Sequence, residues 1–135
     1  MKIGFIGGGR VVSWQLERIS IVNELEFGGI YDIDPKVLEN YKQKGLEVFS
    51  SLSHMISSKP DVIAICTPSD SHMEVFLEVA ELCDCEQVIT IEKPTFLKLN
   101  DFNKANEVIK SKNLNVFPVF QNRYNDAVNY AKDLI

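Results

Sequence analysis

The chain has 135 residues, of which 45% are hydrophobic and 24% are charged, and this composition fits one compact domain better than two. Its 14 Lys and Arg residues stand against 19 Asp and Glu residues, so the net charge of -5 disfavours binding to a nucleic-acid backbone. The longest apolar run near the middle, residues 62–66, is far shorter than the roughly 20 residues of a membrane-spanning helix. No apolar stretch of a secretory signal opens the chain, and we therefore expect a cytoplasmic protein without a membrane or nucleic-acid partner.

The cysteines fit the same compartment. Cys66, Cys83 and Cys85 form neither an even-numbered disulfide set nor a CxxC pair. Cys66 lies within an apolar run, where a thiol is typically a small buried hydrophobe. Because Cys83 and Cys85 have no further cysteine or histidine nearby, no metal site is predicted.

Six short apolar runs alternate with segments of helical periodicity, a pattern typical of a parallel sheet covered by helices on both faces. The runs are residues 3–6, 27–31, 47–49, 62–66, 87–91 and 115–120. The polar segment 51–58 predicts a helix of only one or two turns. Pro118 cannot donate a ladder hydrogen bond, so the sixth strand is expected at an edge. An α/β Rossmann sheet, doubly wound with six strands in the order 3-2-1-4-5-6, meets that condition.

Capping residues mark several helix starts. Asp34 precedes Pro35 and is expected to cap the second helix, while Ser69 or Ser71 would cap the helix that begins near His72. Asn100 is expected to cap the following long helix.

The last segment carries apolar residues at helical spacing up to its final residue, and they are Tyr124, Ala127, Val128, Ala131, Leu134 and Ile135. No polar cap or glycine follows them. We therefore expect a helix whose apolar face packs either on a continuation of the chain that is missing here or on a partner chain.

A glycine turn joins the first strand to an amphipathic helix. Gly7 would permit the tight turn, and Gly9 would let the backbone approach phosphate oxygens at the positive end of the helix. The third position of this fingerprint holds Val12 where Gly or Ala is usual, which predicts a wider helix–strand spacing or a displaced pyrophosphate. An ordinary strand-to-helix turn is the alternative interpretation.

An acidic residue follows the second strand at the distance a dinucleotide site requires. Asp32 stands 23 residues after Gly9, where its carboxylate can accept hydrogen bonds from ribose hydroxyls. The same charge would repel a 2′-phosphate, which favours NAD over NADP. The alternative is a simple turn in which Asp32 and Asp34 only prepare the next helix.

Two polar clusters follow the fourth and fifth strands, at the sheet edge where open α/β sheets bind ligands. The first cluster is residues 67–72 and the second is Glu92-Lys93-Pro94. Lys93 could hydrogen-bond a substrate hydroxyl and pass its proton during hydride transfer. A solvated lysine and a surface or capping His72 are the alternatives.

These landmarks stand in the order found in the N-terminal domain of the Gfo/Idh/MocA oxidoreductases, the glucose–fructose oxidoreductase and inositol dehydrogenase group, which the chain resembles along essentially its whole length. The matching segments are Gly7-Gly8-Gly9-Arg10, Tyr31-Asp32-Ile33-Asp34-Pro35, Cys66-Thr67-Pro68 with His72, Glu92-Lys93-Pro94 and Gln121-Asn122-Arg123-Tyr124. The Glu-Lys-Pro segment is the most specific of them.

The resemblance implies an NAD(P)-binding Rossmann domain over residues 1–121 and a crossing helix over residues 122–135 that leads to an absent substrate domain. It implies catalytic roles for Lys93 and Glu92. The implied cofactor-binding residues are Gly7, Gly8, Gly9, Arg10, Val11, Asp32, Thr67, Pro68, His72, Glu92, Lys93, Pro94, Asn122 and Arg123.

The same resemblance implies an oxidoreductase acting on the CH–OH group of a sugar, sugar nucleotide or cyclitol, with NAD as cofactor and pairing into a homo-oligomer. Without the second domain, the chain alone is expected to bind nucleotide but not to turn over, because a reacting carbon needs positioning to about an ångström. The alternative function is a non-catalytic NAD-binding sensor or regulatory module whose final helix docks on a partner.

Overall fold

The computed structural model describes residues 1–134. The strands are β1 (Lys2–Ile6), β2 (Glu26–Tyr31), β3 (Val62–Ile65), β4 (Val88–Ile91) and β5 (Asn115–Pro118). The helices are α1 (Arg10–Ile19), α2 (Pro35–Gln43), α3 (Leu52–Ser57), α4 (His72–Leu82), α5 (Leu99–Lys112) and α6 (Asp126–Asp133), and a 3-10 turn covers Gln121–Tyr124.

The strands form one parallel sheet in the order β2-β1-β3-β4-β5. The α/β Rossmann class is confirmed, but the predicted sheet of six strands in the order 3-2-1-4-5-6 is wrong. Residues 47–49, the predicted third strand, make only a single bridge beside β2, where Val48 pairs with Ile30. The other five runs keep the neighbours that the predicted order gave them.

The missing strand has a local cause. Only two backbone hydrogen bonds join the segment to β2, from Ile30 N to Glu47 O at 3.1 Å and from Phe49 N to Ile30 O at 2.8 Å. Ser51 then caps α3 by accepting from His54 N, so the chain turns away into a helix before a ladder can extend. The short α3 itself has the length predicted for segment 51–58.

The predictions for the edge strand and for the helix caps have different outcomes. β5 pairs only with β4, so the strand containing Pro118 lies at an edge, as predicted. Helix α5 begins at Leu99 after the extended residue Lys98, and Asn100 lies inside its first turn. The predicted Asn100 cap is therefore wrong, whereas Asp34 caps α2 by accepting from Lys36 N at 2.9 Å.

Two apolar clusters fill the two faces of the sheet. Ile63 and Ile65 belong to the cluster under α3, α4 and α5, while Ala64 between them belongs to the cluster under α1 and α2. Alternate side chains of a strand point to opposite faces, so this central strand serves both cores. Its carboxyl end, and those of its neighbours, open at the edge where α1, α2 and α4 begin.

The C-terminal segment stands apart from both clusters. All residues from 121 to 134 are exposed, including Tyr124 at 84% and Leu134 at 70%. The predicted helix forms over Asp126–Asp133 with Asn125 as its cap, and Ile135 lies outside the described residues. No helix within residues 1–134 combines the length and the apolarity needed to cross a bilayer.

Candidate functional site

Gly7 makes the turn at the end of β1. Its N–H donates to Tyr31 O at 2.8 Å, and its φ of +90° lies in the region that favours glycine. A Cβ here would lie 2.9 Å from backbone atoms of Cys66 and Thr67. The turn is therefore pressed between the ends of β2 and β3, and no larger residue fits.

The Asp32 carboxylate is held beside this turn by two backbone hydrogen bonds. Its Oδ2 accepts from Gly8 N at 2.7 Å, and its Oδ1 accepts from Asp34 N at 2.8 Å. Tyr41, from α2, donates its hydroxyl to Gly8 O at 3.0 Å. Since an ionised carboxylate offers about four acceptor positions, Asp32 keeps acceptor capacity beyond these two bonds.

Gly9 leaves open space at the start of α1. Gly9 is the N-cap, and no side-chain hydrogen bond caps the helix end. Apart from its chain neighbours, no atom of the described residues lies within 4 Å of the position that a Cβ would take. The first turn contains no acidic residue, and Arg10 opens it. The arrangement offers backbone N–H groups, the positive helix end and one cation to an anionic group.

A cleft of about 760 Å³ lies over these elements, a volume within the usual range for a small-molecule or cofactor site. Eight of the residues predicted to bind a cofactor line it, and these are Gly7, Gly8, Gly9, Arg10, Val11, Asp32, Thr67 and Pro68. Val12 is fully buried in the cluster beneath α1. The wider helix–strand spacing predicted from Val12 stays a prediction.

Sequence reasoning missed part of the cleft wall. Ile33 lines the cleft and is 85% exposed. Asp70, Glu74 and Glu78 line the opposite side. Glu74 and Glu78 are four residues apart on α4, a spacing that could have placed both on one helix face, whereas Asp70 lies just before the helix.

Lys93, Pro94 and Asn122 lie outside this cleft and come together elsewhere. They line a second cavity of about 450 Å³, together with Phe120 and Gln121, where the chain leaves β4 and β5. Lys93 is exposed there. The Arg123 guanidinium lies 5.2 Å from the ring centre of Phe120, beside the same cavity. The structure thus divides eleven of the predicted site residues between two cavities, and His72, Glu92 and Arg123 line neither.

Glu92 connects the end of β4 to α1. Its Oε1 accepts from Gln15 Nε2 at 2.9 Å, and its Oε2 accepts from Lys93 N at 3.3 Å. Burial, and then the negative charge of Glu92, raise the pKa of the Cys66 thiol to about 12. Cys66 lines the cleft as a neutral thiol.

His72 is buried and lines neither cavity. Its Nε2 lies 2.9 Å from Thr67 O, and its Nδ1 lies 3.0 Å from Pro94 O and 3.2 Å from Thr95 O. Its ring therefore contacts the loops after β3 and β4. Across residues 1–134, no three His, Cys, Asp or Glu side chains are grouped as metal ligands would be.

Comparison with known proteins gives a consistent result. A curated relative, the myo-inositol 2-dehydrogenase of Thermotoga maritima, is 25% identical over all of this chain and 40% of its own length. The glucose-6-phosphate 3-dehydrogenase of Bacillus subtilis is 25% identical over 99% of this chain and 37% of its own length. The chain thus spans about two fifths of these relatives.

Among solved structures, the WlbA dehydrogenase from Bordetella pertussis in complex with NADH and UDP-GlcNAcA matches with a TM-score of 0.85 and 27% identity, over 98% of this chain and 40% of that one. The family model described as an oxidoreductase family with an NAD-binding Rossmann fold, Gfo/Idh/MocA, matches residues 1–120. That match covers most of the chain, which therefore belongs to the Gfo/Idh/MocA oxidoreductases and carries their NAD-binding Rossmann domain.

Proposed function

We propose that this chain is the cofactor-binding part of an NAD-dependent dehydrogenase that acts on the CH–OH group of a sugar, sugar nucleotide or cyclitol. Residues 1–121 would form the cofactor domain, and residues 122–135 would lead to a substrate domain. The relatives are named for an inositol and a hexose phosphate, and the matched WlbA structure is a complex with NADH and the sugar nucleotide UDP-GlcNAcA.

The observation that carries the proposal is the placement of Asp32 beside an open glycine turn. The cleft meets both demands of a dinucleotide, since Gly9 leaves room at a helix N-terminus and Asp32 retains acceptor positions. Gly7, Gly8, Gly9, Arg10 and Val11 would hold the pyrophosphate, and Asp32 the adenosine ribose. Bound NAD supplies a hydride acceptor at its nicotinamide ring.

Lys93 would perform the proton chemistry. It is exposed at the carboxyl end of β4 and faces the cavity it shares with Asn122, so a substrate hydroxyl entering there could donate to its amine or accept from its ammonium. Glu92 is engaged by Gln15 and would hold the strand end from which Lys93 projects. We assign Glu92 a positioning role for this reason.

Calorimetric titration with NAD and NADP tests the cofactor assignment. We expect Asp32→Ala to lower NAD affinity about tenfold or more, because a hydrogen bond to a charged group contributes about 1.5–3 kcal/mol, and to lower NADP affinity less. Asp34→Asn is the matched control, since it removes a charge from the same loop but keeps a capping side chain. An unchanged NAD to NADP ratio in Asp32→Ala would remove the argument for Asp32.

A steady-state assay tests the division of labour. The 135-residue chain, saturated with NAD and given an inositol, a hexose phosphate or a sugar nucleotide, should produce no NADH above background, because the second wall of the substrate pocket is needed to position the reacting carbon. Sustained turnover by this chain alone would contradict the proposed division at residue 121.

A further inference from the structure

The surroundings of His72 contain only hydrogen-bond acceptors. The ring is 1% exposed, and the groups within hydrogen-bond distance of its two nitrogens are the carbonyls of Thr67, Pro94 and Thr95. A carbonyl oxygen cannot donate. A ring nitrogen that carries hydrogen therefore donates to a loop carbonyl, and the other nitrogen packs against one.

The two nitrogens of the ring contact different loops. Nε2 lies against the loop that follows β3, and Nδ1 lies against the loop that follows β4. These loops lie on different sides of the site. Thr67 lines the large cleft, whereas Pro94 lines the cavity that contains Lys93.

We propose that His72 is a positioning residue whose buried ring spans the cofactor-side loop and the Lys93 loop, with Nε2 against a carbonyl of the first and Nδ1 against carbonyls of the second. The inference rests on the proposed function for the meaning of the two loops. The distance between cleft and lysine would be set by a rigid imidazole, held at the start of α4 and buried beside the sheet. His72 would therefore act on substrate geometry without touching cofactor or substrate.

The first test examines the ring itself in the intact chain. Nitrogen–proton spectra should show a ring N–H hydrogen of His72 that exchanges with solvent at least tenfold more slowly than the ring hydrogen of an exposed histidine, because the ring is buried between the two loops. The exposed His54 on α3 provides an internal comparison, because it is the other histidine of the chain. A ring hydrogen of His72 that exchanges as fast as that of His54 would overturn the proposal, since the ring would then not be held between the two loops.

The second test separates a local effect of His72 on the Lys93 loop from an effect on the stability of the whole domain. Two hydrogen-bonded amides lie just after the ends of β4 and β1, with Glu92 N bonded to Ile65 O at 3.0 Å and Gly7 N bonded to Tyr31 O at 2.8 Å. In His72→Phe, which keeps a ring but no donors, hydrogen exchange at Glu92 should accelerate tenfold or more relative to Gly7.

Val79→Ala is the matched control, because Val79 is equally buried on α4 and lies far along the helix from the loops. We expect it to change exchange at Glu92 and Gly7 in equal proportion. Equal acceleration at both amides in His72→Phe would reduce His72 to a core residue and overturn the proposal. A large loss of NAD affinity with Glu92 exchange unchanged would overturn it too, by making His72 a cofactor contact. If the unaltered chain binds no NAD, the proposed function fails while the exchange result still stands.

Discussion

Single residues at the glycine turn have different physical requirements, although the sequence presents them as one motif. Gly7 is required by its positive φ and by backbone atoms of the β3 end, whereas Gly9 faces open space. The motif and the spacing to Asp32 were predictable because both depend on local chain geometry. The burial of His72 was not, because its partners Pro94 and Thr95 lie more than twenty residues away along the chain.

The contrast between the two glycines can be measured. Gly7→Ala should destabilise the fold by about 2 kcal/mol or more, through left-handed strain and close contact with Cys66. Gly9→Ala should change the free energy of unfolding by less than about 1 kcal/mol but lower NAD affinity about tenfold, since the new methyl group occupies the cofactor's approach. Urea unfolding and calorimetry on both variants check this. Similar stability losses in the two would contradict the different roles.

The Cys66 thiol makes stability depend on alkaline pH. Its pKa rises from 9.0 when unfolded to about 12 when folded, so between these values the unfolded state binds fewer protons and stability falls as pH rises. From pH 8 to pH 10 the thiol should contribute a loss of about 1.3 kcal/mol, which Cys66→Ala should lack. Urea unfolding at both pH values measures the difference, with Cys85→Ala, an exposed site, as control. Identical losses in the unaltered chain and Cys66→Ala would disprove the assignment.

Among the secondary-structure elements, hydrophobic periodicity predicted the helices and strands that bury an apolar face. It failed at residues 47–49, where backbone hydrogen bonding determines whether a strand forms. The polar segment 51–58 formed its short helix because Leu52, Met55 and Ile56 still bury one face. Residues 47–49 looked like a strand, yet two backbone bonds and an early cap reduced them to one bridge. The division of Lys93 and Asp32 between two cavities depends on loop paths that no local pattern encodes.

Helix α2 supports the cofactor cleft through one hydroxyl. Tyr41 is buried and donates to Gly8 O, so Tyr41→Phe should cost about 1 kcal/mol of stability and weaken NAD binding several-fold by loosening the turn. Tyr130→Phe, on the exposed helix α6, should change neither quantity. Thermal unfolding and NAD titration of both variants measure the two effects. An NAD affinity of Tyr41→Phe equal to that of the unaltered chain would show that α2 does not order the glycine turn.

On the scale of the whole molecule, the class of sheet and the order of five strands followed from the sequence because a doubly wound sheet leaves few ways to bury alternating runs. The C-terminal stripe was predicted to be helical and to need a covering surface. Within residues 1–134 it is helical and uncovered, with Tyr130 at 68% and Val128 at 47% exposed. The segment thus adds little to the core of the domain.

This makes the boundary at residue 121 open to test. Removing residues 122–135 should leave the thermal midpoint within about 3 °C, because exposed groups contribute little burial energy and about 1 kcal/mol corresponds to a few degrees in a domain of this size. Calorimetric melting of the two chains supplies the measurement, and backbone amide spectra should overlay for residues 1–115. A matched substitution inside the core, Phe76→Leu, should lower the midpoint clearly because Phe76 is fully buried. If truncation lowers the midpoint as much as the core substitution does, residues 122–135 are part of the folding unit and the boundary lies elsewhere.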